Sequence, residues 1–157
     1  MSASLDAIFS GIQKNKDFHL AAVMAAAAWL RTDCEVTRGG RVASVGFCMG
    51  GGLSGQLAVH DPALAGAVIF YGQAPEAGQV ASIACPVLGL YGENDPRTNA
   101  SVGPFENAMG AAGKRLEVHM LSGAGHAFFN DTRPSFQAAA ARKATARIFG
   151  FLNEVLG

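Results

Sequence analysis

Gly46-Phe47-Cys48-Met49-Gly50 follows directly on the apolar run Val42-Ala43-Ser44-Val45, and this junction restricts the possible folds more than any other stretch of the chain. It reads as a strand that turns abruptly into a helix and lifts one side chain clear of the sheet. Such an elbow needs flanking residues with almost no side chain, so that the two backbones can pass. The residue in its middle, Cys48, is of a nucleophile type. A cysteine in an apolar stretch is most often a buried small hydrophobe. That reading suits Cys34 and Cys85, which lack the paired glycines.

The rest of the pattern alternates between two periods. Leu5, Ile8, Phe9 and Ile12 recur at helical spacing, as do the apolar residues of Phe18 to Leu30 behind an Asp17 cap, so the chain is expected to open with two helices. No strand is expected before Arg41. From there the pattern predicts a strand over Val42 to Phe47, a helix over Gly51 to His60, and strands over Ala67 to Tyr71 and Val87 to Tyr91. A helix over Pro104 to Ala112, a strand over Leu116 to Leu121 and a long closing helix complete it. This order predicts an α/β fold of three layers, with a mainly parallel sheet of about four strands between helices. The first three strands are almost continuously apolar, as strands covered on both faces are, whereas Leu116 to Met120 alternates and belongs at a sheet edge. Phe136, Ala140, Ala144, Ile148, Leu152 and Val155 form the stripe by which the closing helix meets the sheet.

Composition narrows the function class. At 157 residues, half of them hydrophobic, the chain is expected to form one domain, 1–157, with helices in 1–35 and the strand and helix core in 41–157. Acidic and basic residues balance at 12 each without a block of like charge, which argues against nucleic-acid or anionic-membrane partners and for a small-molecule one. The apolar stretch Leu20 to Leu30 is too short to span a bilayer and the N-terminus lacks signal-peptide order, so the expected location is cytoplasmic. Three cysteines without a C-x-x-C pair, and histidines at 19, 60, 119 and 126 without ligand spacing, predict neither a disulfide framework nor a metal site. No phosphate-binding glycine pattern accompanies Gly50 to Gly52.

Cys48, Asp95 and His126 each follow an expected strand, which places them at the carboxyl edge of the sheet, where open α/β folds put their sites. Their order, nucleophile then acid then histidine, is that of one of the known catalytic-triad arrangements. In that chemistry His126 takes the thiol proton, Asp95 fixes the imidazole tautomer, and the backbone N–H of Met49, the first after the nucleophile, donates to the oxyanion. Alternatives exist for each. Gly92-Glu93-Asn94-Asp95-Pro96 would also make a turn, with Glu93 the nearest rival to Asp95, and His126 could bond its own loop. His19, His60 and His119 lie within expected helices or mid-strand and are read as structural.

With these residues assembled, the chain resembles the dienelactone hydrolase (carboxymethylenebutenolidase) family, a cysteine-nucleophile branch of the α/β-hydrolases. The resemblance rests on Val45 to Gly51, Phe70-Tyr71-Gly72, Cys85 to Gly89 leading to Gly92 and Asp95, and Gly125 to Asp131. It implies a Cys48–His126–Asp95 triad acting without a cofactor on small esters or lactones, with Phe47, Tyr71, Phe128 and Arg133 as candidate substrate contacts. Family members carry further strands before the elbow strand, and this chain has only its two expected helices there. In the family's strand order Val42 to Phe47 would then be an unpaired edge, covered by a second copy in a homodimer or by the N-terminal helices. Three functions remain open: a hydrolase of small esters, lactones or thioesters; a catalytically impaired remnant serving as a small-molecule binding or assembly module; and a redox-active thiol on the same elbow.

Overall fold

After α1 (Lys16–Thr32) the chain lays down its apolar runs as four parallel strands, β1 (Ala43–Phe47), β2 (Gly66–Phe70), β3 (Val87–Gly92) and β4 (Leu116–Leu121). They pair in the order β1-β2-β3-β4. The computed structural model describes residues 11 and 15–157; Leu5, Ile8, Phe9 and Ile12, on which the first expected helix rests, lie outside the described residues. Parallel neighbours need crossovers. These are α2 (Met49–His60), the 3-10 turn Ala77–Ser82, and α3 (Pro96–Asn99) with α4 (Val102–Ala111), after which α5 (Ala138–Leu156) closes the chain.

Every residue of β2 and β3 is buried, as their unbroken apolar runs require, and successive side chains serve opposite faces. Ala67, Ile69, Val87 and Tyr91 pack with Ala27 of α1, Leu57 and Ala58 of α2, and Phe105 and Met109 of α4. Val68, Phe70, Leu88 and Leu90 pack with Ala140, Ala144, Phe151 and Val155 of α5. Three layers result. Arg31, near the end of α1, pairs at 2.8 Å with the largely buried Asp61 just beyond α2. Asp61 also accepts from the Ala63 N–H at 3.0 Å, so this ion pair ties α1 to α2.

Several expectations need correction. The cap position of α1 is Asn15, whose side chain donates back to the Gly11 carbonyl at 2.8 Å and makes no capping bond to the helix, and Asp17 lies inside the first turn. Pro104 is the third residue of α4 rather than its first, because first-turn amides have no intrahelical acceptor and a proline there removes nothing. Phe136 precedes α5 and is exposed, while Phe151 is buried in its place. A strict i+4 stripe drifts around a 3.6-residue helix, and the i, i+4, i+11, i+15 set Ala140, Ala144, Phe151 and Val155 stays on one face. β1 is the edge strand that the resemblance implied, but it is not covered on both faces as its almost continuously apolar run suggested, with Val45 39% and Phe47 42% exposed. β4 forms the opposite edge, as its alternation indicated.

Candidate active site

Cys48 stands between the end of β1 and the first residue of α2 with φ 54° and ψ −117°, a conformation that costs a non-glycine residue energy and persists only where its surroundings impose it. Its N–H donates to the Phe70 carbonyl at 2.9 Å and its carbonyl accepts from the Gly52 N–H at 3.2 Å. The glycines that permit this crowding are not both of those framing the cysteine. A Cβ on Gly46 would lie 1.8 Å from the Gly50 carbonyl oxygen, and one on Gly51 would lie 2.7 Å from the Phe70 carbonyl oxygen, whereas a Cβ on Gly50 would meet open space. The steric need therefore falls on Gly46 and Gly51. Met49, as the first residue of α2, has an amide without an intrahelical acceptor.

Asp95 and His126 arrive from the loops after β3 and β4, which are laced together. The Asn94 N–H donates to the Ala124 carbonyl at 2.8 Å, and the Glu93 carboxylate accepts from the Gly123 N–H at 2.9 Å and the Ser122 hydroxyl at 3.1 Å. Those two donors, the amide first, hold the Glu93 carboxyl below its usual pKa. Glu93 thus serves this clamp, and it is Asp95 that meets His126: Asp95 Oδ2 lies 2.6 Å from His126 Nδ1. Burial, the largest single influence, pushes the Asp95 carboxyl up. Hydrogen bonds from Thr98 and His126 and the imidazole charge outweigh it, so the carboxyl sits below its ordinary pKa.

On the other side of the ring His126 Nε2 lies 3.1 Å from Cys48 Sγ. A carboxylate only accepts, so Nδ1 carries the proton shared with Asp95 and the Nε2 lone pair faces the thiol. Asp95, His126 and Cys48 thereby form one unbroken chain of polar contacts, from a buried carboxylate to an exposed sulfur.

Of the candidate substrate contacts, Phe47 is partly exposed and stacks on Phe70 and Phe129, with ring centroids 4.6 and 5.7 Å apart. Tyr71 is buried with a positive φ of 36°, its ring edge-on to His126 at 5.2 Å. Burial first, and then negative charge at Cys48, push its phenol up to about 12, so it remains a neutral hydroxyl. Phe128 is a correction. It is fully buried against Phe70 and Tyr71 and offers no surface to a substrate; half-buried Phe129, which the sequence reading passed over, is the partner of Phe47. Arg133 is exposed in the turn following Phe129 and, among the described residues, makes no ion pair. His119 contacts Glu117 on β4 at 2.5 Å, and His19 and His60 lie on α1 and α2, outside this constellation.

Thr98 was also missed. Its hydroxyl donates to Asp95 Oδ2 at 2.6 Å and its N–H reaches Oδ1 at 3.4 Å. The signal was present in Asp95-Pro96-Arg97-Thr98, an N-cap with proline at the first helical position and a hydroxyl at the third.

The family model of the dienelactone hydrolase family matches residues 3–156. This chain belongs to the dienelactone hydrolase family. A Saccharolobus solfataricus protein named "Putative carboxymethylenebutenolidase" is 41% identical over 116 residues, covering 73% of this chain and 45% of that protein. The crystal structure named "Putative Dienelactone Hydrolase" from Klebsiella pneumoniae is similar at 28% identity and a TM-score of 0.74, over 83% of this chain and 58% of that one. The dienelactone hydrolase-like promiscuous phosphotriesterase P91 from metagenomic libraries shares the fold at a TM-score of 0.83 and 24% identity, over 99% of this chain and 69% of that one. The chain spans about half the length of the curated relatives it matches, 45% and 47% of the first two. The four-stranded parallel sheet with helices on both faces is thus part of an α/β-hydrolase fold. Among the described residues, no helix is long and apolar enough to cross a membrane.

Proposed function

We propose that this member of the dienelactone hydrolase family hydrolyses small esters, lactones or thioesters through Cys48. The observation that carries the reading is the contact chain in which His126 lies 2.6 Å from Asp95 and 3.1 Å from a sulfur held clear of the sheet. His126 Nε2 takes the thiol proton, and the sulfur attacks the acyl carbon to give a tetrahedral oxyanion. The Met49 N–H, with the positive end of α2 behind it, stabilises that oxyanion. Collapse expels the alcohol or thiol, which takes the proton from the imidazolium, and leaves a thioester on Cys48. A water that gives its proton to His126 then releases the carboxylic acid and restores the thiol. Every atom in this cycle comes from the substrate, water or the three side chains, so no cofactor enters. Exposed Phe47 and half-buried Phe129 are the proposed border of the acyl position, buried Tyr71 backs the His126 ring, and exposed Arg133 suits a substrate carboxylate.

Hydrolysis of p-nitrophenyl acetate tests this: repeated turnover is expected from the wild type and none above background from Cys48→Ala. Equal rates in the two would defeat it. The edge position of β1, which leaves Cys48 without neighbouring chain on that side among the described residues, favours a second reading: a binding or assembly module. Under that reading an electrophile would modify Cys48 no faster than a free thiol, and ester would not be turned over.

A second copy of the chain is the proposed cover for β1. The Cys48 N–H points to β2, so by alternation the amides of Val45 and Phe47 point away from the sheet, beside their exposed apolar side chains. Such an edge recruits another strand. Light scattering is expected to give a dimer that Val45→Lys converts to monomer, and a wild-type monomer at micromolar concentration would contradict it. Cys34, Cys48 and Cys85 are free thiols, which suits the proposed cytoplasmic location.

A further inference from the structure

Asp95 Oδ2 accepts two short bonds at once. One comes from His126 Nδ1 and the other from the Thr98 hydroxyl, both at 2.6 Å, while the Thr98 N–H approaches the second carboxylate oxygen at 3.4 Å. Thr98 is 3% exposed and Asp95 5%, so water does not compete for these positions. The threonine is itself held in register: Asp95 caps the short helix in which Thr98 is the third residue, and the Thr98 carbonyl accepts from the Ser101 hydroxyl at 2.7 Å. A carboxylate bound only to the imidazole could rotate about its Cβ–Cγ bond and present either oxygen at a range of angles. With one oxygen pinned by the hydroxyl and the other by the amide of the same residue, it has a single orientation, and that orientation aims Oδ2 at Nδ1.

We infer that Thr98 is a positioning residue that holds Asp95 in the rotamer that orients His126 toward Cys48, and so sets the reactivity of the thiol. This rests on the hydrolase reading for its consequence in turnover but not for its consequence in thiol chemistry. Thr98→Val removes the hydroxyl while keeping the branched shape and the N–H, and Thr98→Ser restores the hydroxyl alone.

The test measures two things on wild type, Thr98→Val and Thr98→Ser: the rate at which iodoacetamide alkylates Cys48 at neutral pH, followed on the Cys48 peptide by mass spectrometry, and kcat and KM for p-nitrophenyl acetate. Misorienting a base by a fraction of an ångström to an ångström costs about ten- to a hundredfold. The expected result is therefore that Thr98→Val loses about tenfold or more in alkylation rate and in kcat with KM little changed, and that Thr98→Ser stays within about threefold of wild type. A Thr98→Val protein with wild-type alkylation and kcat overturns the inference, and so does a loss that Thr98→Ser fails to rescue, since that would mark a packing role. If no variant turns over ester but alkylation still falls in Thr98→Val and recovers in Thr98→Ser, the positioning role stands and the hydrolase reading falls.

Discussion

Replacing Gly46 with alanine is expected to destabilise the protein by upwards of about 3 kcal/mol and to abolish activity. The added methyl group would stand 1.8 Å from the Gly50 carbonyl oxygen, 2.3 Å from the Gly50 carbonyl carbon and 2.7 Å from the Gly51 nitrogen. All of these are backbone atoms in the first turn of α2. No side chain can swing aside, so the helix itself must move away from β1, and Cys48 is fixed by that junction through its bonds to Phe70 and Gly52. Gly50→Ala is the control. A Cβ there meets nothing within 4 Å, and alanine is favoured over glycine in a helix by up to about 1 kcal/mol. Urea denaturation of the two variants should therefore give shifts of opposite sign. Gly46→Ala within about 1 kcal/mol of wild type would mean that the elbow can relax in a way this packing does not allow.

The second large effect is expected at the acid. Asp95→Asn should fold, because asparagine caps helices about as well as aspartate and the Thr98 N–H still finds an oxygen acceptor. Its rate of ester hydrolysis is nevertheless expected to fall on the order of ten-thousandfold. The cause is the proton on the ring. Aspartate can only accept, which obliges Nδ1 to donate; an amide nitrogen turned toward His126 would oblige Nδ1 to accept, leaving the proton on Nε2, where it faces the sulfur and cannot act as a base. His126→Ala removes the base altogether and should be worse than Asp95→Asn. The double variant should be no worse than His126→Ala alone, since the two act as a unit. Steady-state kcat/KM for the three proteins checks this, and fully additive losses would show that Asp95 and His126 work independently.

Much of the sheet was legible because β2 and β3 are buried along their whole length, so their composition carries the signal without help from distant contacts. The elbow was legible for a similar reason, since Gly46 and Cys48 meet their constraints within a few residues of chain. What escaped notice depends on where neighbouring elements lie. An apolar run looks the same in a central strand and in β1, so composition alone suggested a strand covered on both faces, and it took the family's strand order to mark β1 as the edge that exposes Val45 and Phe47. Phe128 and Phe129 are chemically identical, yet one is sealed behind Tyr71 and the other stacks on Phe47; adjacent residues in a loop have no period to tell them apart. Asp95 was preferred to Glu93 on motif position, and what the sequence did not carry is the reason: both follow β3, and the lacing of two loops occupies Glu93 and leaves Asp95 to His126.

The measurement that bears most directly on the central claim is an acid quench of the wild-type protein within its first turnover of p-nitrophenyl acetate, followed by peptide mass mapping. The account predicts one acetyl group on the Cys48 peptide, formed at the rate of the nitrophenolate burst and absent from Cys48→Ala. Ester consumed while Cys48 stays unmodified, at a rate that Cys48→Ala shares, would contradict it.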